Sequence, residues 1–348
     1  MKKEFEINGC VVPPLRKYLE GLESVMNHAV KFSITWNCNE TCGHCGYSCG
    51  PDMPMEFIPK NVIFAYFGEL ARNPAFKRRG YCISGGEPTL AYDHDVDYLS
   101  DIFQCGMYHK LPGMLKTNAG IVGTPHYERF IEDLKLFRKC KNGMNVSLSA
   151  DDFHNNIDKN IVLMRELYEN KIFKKGLYSD ISCCENWFKK EKNIVRLLDS
   201  GLPVEMKEKN ILRLGKTEIR LRNSVATNGR GANIPGSMNY EWENEFYAML
   251  VGEKPSVSLH FMPDGKVSLE PGFDNSIVID YRASCGKLKT LERIQRELVD
   301  LAVEKLGKRY EDFIVYIKEG AEKIIAEEAG KIPQITNELR HNQKIKST

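Results

Sequence analysis

Apolar runs of about five residues alternate with amphipathic stretches of roughly ten to fifteen across some two hundred residues, and this alternation constrains the fold most. Strands are expected at 32–36, 81–84, 114–118, 144–149, 177–183 and 219–221. Helices are expected between them at 62–70, 95–106, 127–137, 157–168 and 193–198, where apolar residues recur at helical offsets, as Val62, Ile63, Tyr66, Phe67 and Leu70 do. Such alternation builds parallel βα units, because parallel strands need a crossover long enough to carry a helix. The count is about six units, too few for a closed eight-fold barrel, so an α/β fold with an open or partial barrel is expected.

Flanking segments differ. Pro13-Pro14 precedes a helix expected at 15–28. Beyond about 236 the pattern gives a hairpin, 257–261 and 266–269 around an Asp264-Gly265 turn, then helices at 289–306 and 310–328. The expected organisation is an N-terminal helical segment (1–27), the barrel (28–235), a small α+β C-terminal hairpin-and-helix extension (236–330) that caps the substrate site, and a polar, basic tail (331–348).

In parallel sheets ligands bind at the carboxyl ends of the strands. Several distinctive features fall there. Cys38-Asn39-Glu40-Thr41-Cys42-Gly43-His44-Cys45 follows the first strand, Gly85-Gly86-Glu87-Pro88 the second, Thr117-Asn118 ends the third, and Ser149-Ala150-Asp151 ends the fourth. Three thiolates at Cys38, Cys42 and Cys45 can grip one metal centre. A closed zinc site takes four ligands, and so does an all-cysteine iron–sulfur cluster. Three cysteines on a four-iron cluster leave one iron open to an outside ligand, which points to chemistry. The plain alternative is ordinary cysteines that fall close together in sequence.

Composition narrows the setting. A net charge of +2 gives no electrostatic case for a nucleic-acid partner. No apolar run approaches the ~20 residues of a membrane span, and the first residues lack the apolar core of a signal peptide. A cytoplasmic, reducing location is expected, where 11 cysteines serve as thiols and metal ligands more than as disulfides.

The cysteine loop, taken with Gly85-Gly86-Glu87-Pro88 after the second strand, resembles the radical S-adenosylmethionine (radical SAM) superfamily, whose signatures are C-x3-C-x2-C and a glycine pair followed by Glu-Pro. The resemblance covers residues 28–235 and implies a partial (β/α)6 barrel. It implies a [4Fe–4S] cluster on Cys38, Cys42 and Cys45, with S-adenosylmethionine (SAM) chelating the open iron. It further implies reductive cleavage to a 5′-deoxyadenosyl radical that abstracts hydrogen from substrate carbon, and an electron donor such as flavodoxin or ferredoxin. Gly85 and Gly86 would let backbone approach the ligand, with Glu87 and strand-edge carbonyls receiving its ammonium group; the alternative is a plain Gly-Gly turn stopped by Pro88. Thr117 and Asn118 fall at the same end. His44 would lie near adenine, or cap the loop. Ser149 and Asp151 match a ribose or carboxylate contact, Asp151 alternatively being a helix N-cap. Arg230, in Gly229-Arg230-Gly231, resembles the turn after the sixth strand, or is a plain flexible loop.

The substrate is less legible. The hairpin and helices after 257 look like the SPASM or twitch extensions of peptide-modifying members, but only Cys285 lies beyond residue 184, which implies a remnant without an auxiliary cluster. Tyr47-Ser48-Cys49-Gly50-Pro51 is similar to the continuation in radical peptide epimerases. An epimerase needs a hydrogen donor, for which Cys183, Cys184 and Cys285 are candidates, each alternatively a small buried hydrophobe. Three functions stay open: epimerisation or cross-linking of a ribosomally made peptide, radical chemistry on a sugar, nucleoside or amino acid, and non-catalytic metal binding.

Overall fold

Val30–Ser33 (β1) is buried at every position, as a parallel strand covered on both faces must be. β1 belongs to a computed structural model that describes residues 5–7, 10–12, 30–43, 45–72, 80–136, 144–149, 154–170, 172, 179–182, 192–208, 211–214, 217–222, 258–270, 277–298 and 300–301. The chain divides into two compact units. In the smaller, residues 1–22 with 299–348, Phe5–Ile7 pairs antiparallel with Cys10–Val12. The larger, Glu23–Leu298, holds the sheets described next.

Three βα units follow β1 in chain order. Lys60–Arg72 (α1) leads to Tyr81–Ser84 (β2), Tyr98–Tyr108 (α2) to Gly113–Thr117 (β3), and Tyr127–Leu136 (α3) to Met144–Leu148 (β4). Each strand pairs in parallel with the one before it. Ile157–Glu169 (α4), Ser179–Ser182 (β5) and Lys192–Leu198 (α5) continue the alternation. The helices form where the apolar stripe falls: α1 buries Val62, Ile63, Tyr66, Phe67 and Leu70, and α2 buries Tyr98, Leu99, Ile102 and Phe103.

Two features differ from the expected pattern. Val204–Glu208 (β6) and Ile211–Leu214 (β7) form a hairpin where no strand was expected. With Thr217–Arg222 (β8) they build a four-stranded sheet of order β5-β8-β7-β6, in which only β8 and β5 are parallel. β5 runs beside β4, with no ladder joining them among the described residues. The hairpin Ser258–Phe261 (β9) and Lys266–Glu270 (β10) is present, but β9 pairs in parallel with β1. With Val278–Asp280 (β11) it extends the first sheet to seven strands, ordered β11-β10-β9-β1-β2-β3-β4.

Register sorts the two faces. Phe32 packs edge-on against Phe67 of α1 at 5.9 Å and stacks on Phe261 at 5.1 Å, so Phe32 and its neighbours Ile83 and Leu115 face the helices. The intervening residues, Lys31, Ser33, Cys82, Ser84, Lys116 and Ser147, face the other way, which makes that face polar. Helical residues 291–298 are anchored to α1, where Glu69 accepts the Leu291 N–H at 2.7 Å. The helices expected at 15–28 and 310–328 and the tail at 331–348 lie outside the described residues.

Candidate metal and cofactor site

The chain leaving β1 is pinned before it turns. Ile34 N–H donates to Ser84 O at 2.9 Å, and Asn37 bridges Gly50, with Cys38 N–H donating to Gly50 O at 3.1 Å. Asn37 Nδ2 also donates to Pro51 O and Met53 O. The loop is thereby closed at its base. Inside it, Cys45 N–H donates to Cys42 O at 3.2 Å and Cys49 N–H to Cys45 Sγ at 3.4 Å.

Cys38 and Cys42 are buried, Cys45 is half-buried, and none of the three is in a disulfide. Burial pushes the Cys38 thiol up to about 12, helped by the charges of Glu87, Cys45 and Glu40. Burial raises Cys42 as well, reinforced by Glu40, which its Sγ meets at 3.2 Å, and by the other two thiols. These groups repel one another as thiolates, and a bound cation relieves that repulsion. Three thiols on one loop, with hydrogen bonds to Cys38 and Cys45 from the surrounding chain, are the donor type an iron–sulfur cluster takes. A second donor set overlaps this one: Glu40, Cys42 and His154 each bring a ligand atom within 4.8 Å of the others, and among the described residues Glu40 Oε1 is buried without a hydrogen-bond partner.

The glycine pair has a reason internal to the chain. Gly85 has φ +119°, and a Cβ there would lie 2.4 Å from Thr35 O. A Cβ on Gly86 would lie 1.8 Å from Asn37 O. The turn after β2 therefore rides directly on the backbone leading into the cysteine loop, with Gly86 N–H donating to Thr35 O at 2.7 Å and Glu87 N–H to Asn37 O at 3.0 Å. Pro88 then opens a buried single turn, Pro88–Leu90.

Glu87 is 1% exposed and points inward. Its Oε1 accepts from Thr89 N–H, Thr89 Oγ1 and Thr117 Oγ1 at 3.0, 2.7 and 2.8 Å, and its Oε2 from Asn118 N–H at 2.7 Å. Burial raises its pKa above the ordinary carboxylate value, against the pull of these donors. The carboxylate ties the second strand end to the third. Asn118 passes the tie on, its Nδ2 donating to Asn39 Oδ1 at 2.9 Å and lying 3.7 Å from Cys38 Sγ. At the fourth strand end Ser149 N–H donates to Thr117 O at 2.9 Å. Asn160 of α4, fully buried, clamps both ends by donating to Asn118 O and Ser149 O at 3.3 and 3.0 Å.

On the polar face a cationic and aromatic group adjoins the loop. Lys31 Nζ donates to Tyr47 Oη at 2.7 Å, and Ser33 Oγ meets His260 Nε2 at 2.6 Å. Tyr47 stacks on Trp36 at 5.4 Å and lies 5.2 Å from the His260 ring.

The structure thus brings together Cys38, Cys42, Cys45, Gly85, Gly86, Glu87, Pro88, Thr117, Asn118 and Ser149 around adjacent strand ends. Cys285 is exposed, in the turn after β11. His44, Asp151, Arg230, Cys183 and Cys184 lie outside the described residues. Sequence reasoning missed Asn39, Asn160, Lys31 and His260. Asn160 carried a signal: it stands three residues from both Ile157 and Leu163, a polar residue on the buried stripe of α4.

No protein-family model and no curated protein sequence matches the chain. Among solved structures, Streptococcus suis SuiB bound to S-adenosylmethionine is similar with a TM-score of 0.44 and 14% identity, over 72% of this chain and 63% of that one. SuiB bound to precursor peptide SuiA gives 0.44 and 16%, over 72% and 62%. anSMEcpe with bound AdoMet gives 0.43 and 13%, over 69% and 73%. The chain spans about 63% of the length of SuiB. Similarity at this level leaves the site to be read from its own geometry. Among the described residues no helix is long and apolar enough to cross a membrane.

Proposed function

We propose that this chain is a radical SAM enzyme. Cys38, Cys42 and Cys45 hold a [4Fe–4S] cluster whose fourth iron takes S-adenosylmethionine. One observation carries the reading: three cysteines outside any disulfide share a loop at the carboxyl end of β1, and the Gly85-Gly86-Glu87 turn is hydrogen-bonded to the backbone entering that loop. When bound, the cluster and SAM supply a low-potential electron and a sulfonium whose reductive cleavage gives a 5′-deoxyadenosyl radical able to take hydrogen from carbon.

The chain's own residues hold and shield. The half-exposed Gly85 and Gly86 present backbone without side chains beside the chain entering the cysteine loop. Glu87, Thr117 and Asn118 direct their polar groups at one another and at the loop, so their part is to fix where turn and loop sit. Ser149, half-buried at the neighbouring strand end, is a ligand contact we propose, with His44, Asp151 and Arg230 as the others. The two sheets, meeting where β5 runs beside β4, are read as a partial (β/α)6 barrel whose polar face lines the substrate cavity, and β9–β11 as a cluster-free C-terminal extension. The substrate we propose is a ribosomally made peptide, epimerised or cross-linked, with reduction by a flavodoxin or ferredoxin. Cys183, Cys184 and Cys285 are the candidate hydrogen donors.

Anaerobic reconstitution with iron and sulfide, then chromatography for 5′-deoxyadenosine, tests the reading. Product is expected from the wild type and none from the variant with Cys38, Cys42 and Cys45 all changed to Ala. Product from that variant would overturn it.

A second reading is favoured by the Glu40–Cys42–His154 set, which offers a mononuclear metal three ligands of zinc-binding type. Its signature is one tightly held zinc per chain that survives Cys38→Ala and is lost in His154→Ala.

A further inference from the structure

We infer that Asn118 is a positioning residue for the Cys38 thiolate and tunes the reduction potential of the cluster that this thiolate holds. The inference rests on the three-cysteine cluster proposed above. Asn118 is nearly fully buried, and each of its polar atoms is engaged. Its backbone N–H donates to Glu87 Oε2 at 2.7 Å, its carbonyl accepts from Asn160 Nδ2 at 3.3 Å, and its Oδ1 accepts the Gly120 N–H at 2.8 Å. With Oδ1 fixed by Gly120, the amide NH2 has to face the cysteine loop, where it meets Asn39 Oδ1 at 2.9 Å and Cys38 Sγ at 3.7 Å.

Two backbone features hold this arrangement. A Cβ on Gly120 would lie 2.4 Å from Asn39 Nδ2 and 2.9 Å from Asn118 Oδ1, so only glycine leaves room for the two amides to meet. Ala119, buried and not glycine, is held at φ +61°, a strained conformation for an L side chain that persists where the surroundings fix it. The strain sits next to the residue that reaches the thiol.

A hydrogen bond donated to a cluster thiolate withdraws negative charge from it. Reduction adds an electron to a centre that is already anionic, so the bond stabilises the reduced form more and raises the potential. Cys49 N–H, 3.4 Å from Cys45 Sγ, acts on a second thiolate in the same sense. Asn118 differs in being a side chain at the end of another strand, so changing it leaves the loop's own sequence intact and removes its contacts to Asn39 and Cys38.

The test is redox titration of the reconstituted protein, followed by the electron paramagnetic resonance of the reduced cluster. Asn118→Asp keeps the oxygen for Gly120 and the side-chain volume while replacing the donor by an acceptor. Asn118→Ala removes both without adding charge. The expected result is a potential moved to more negative values in both variants, further in Asn118→Asp, at wild-type iron content, with the thermal midpoint of the metal-free protein lowered in both by the lost buried hydrogen bonds. Loss of the cluster from both variants would show that Asn118 only holds the loop in place, and would overturn the tuning. Unchanged potentials at full iron content would overturn it. A wild type that takes up no cluster overturns the proposed function itself, and the wild-type iron content alone tells the two failures apart.

Discussion

The carboxylate of Glu87 accepts the backbone N–H of Asn118 at 2.7 Å, across the gap between two strand ends. The same carboxylate takes two donors from Thr89 and one from Thr117. Glu87→Ala would leave four buried donors unmet at about 1–3 kcal/mol each before relaxation. A loss of at least about 3 kcal/mol is expected in denaturant unfolding. Glu87→Gln, with one acceptor oxygen where there were two, should cost about half as much. A Glu87→Ala protein as stable as wild type would show that the carboxylate does not carry the tie.

Gly86 and Gly123 separate collision from strain. Gly123 has φ +83° and nothing within 4 Å of the place a methyl group would take, so Gly123→Ala should cost only the backbone penalty of about 1–2 kcal/mol. Gly86→Ala would drive a methyl to 1.8 Å from Asn37 O, which is backbone and cannot step aside. Gly86→Ala is expected to destabilise by more than Gly123→Ala, on the order of 3 kcal/mol, and to lower metal uptake, since the displaced backbone leads into Cys38. Thermal unfolding of the two variants, with metal analysis, checks this ordering.

Much of this arrangement was legible beforehand, and the gaps have physical causes. The βα alternation placed the strands through β5 to within a few residues, because apolar period and crossover length are both written locally. β6 and β7 were missed because Val204-Glu205-Met206-Lys207-Glu208 is mostly charged, and its pairing is antiparallel within a segment read for parallel units. The pairing of β9 with β1 was also out of reach: the hairpin is a local signal, but its partner lies more than two hundred residues earlier. At the site, residue types and spacing gave the thiols and the glycine turn. They did not reveal that Glu87 faces inward, since a carboxylate after a Gly-Gly turn is normally read as exposed.

Asn160 offers a test of how the strand ends are held. It donates to Asn118 O, Ser149 O and Asn156 O from a fully buried position. Asn160→Ala should lower stability by about 1–3 kcal/mol through lost hydrogen bonds and the space left behind. Its local effect should be faster hydrogen exchange at Ser149, whose N–H depends on the register of β3 and β4. Unchanged exchange there would mean that the strand pairing alone holds the ends.

Proton linkage follows from the buried thiols. Cys38 is pushed from 9.0 to about 12, so the metal-free thiol is protonated at neutral pH and a metal must displace that proton. Affinity for a soft divalent ion such as cobalt(II) should therefore rise between pH 7 and pH 9, by about tenfold per pH unit for each proton displaced. The metal-free fold responds with the opposite sign. Because the folded pKa is the higher one, its stability contribution is present below 9 and is lost as pH rises toward about 12, where the folded thiol ionises. Cobalt titrations at several pH values, with an indicator dye recording released protons, check the first statement, and alkaline denaturation of the metal-free protein checks the second.

Cys49 separates a ligand from a neighbour. It is buried at the base of the loop, and its backbone N–H reaches Cys45 Sγ at 3.4 Å. Cys49→Ala keeps that N–H and should keep wild-type iron after reconstitution, at a stability cost of about 1 kcal/mol or less for exchanging a small buried thiol for a methyl. Cys45→Ala removes a proposed ligand and should lose the cluster absorbance. If the two behaved alike, with iron lost in both, Cys49 would be a fourth protein ligand, no iron would stay open, and the docking of a sulfonium nucleotide at that corner would have to be abandoned.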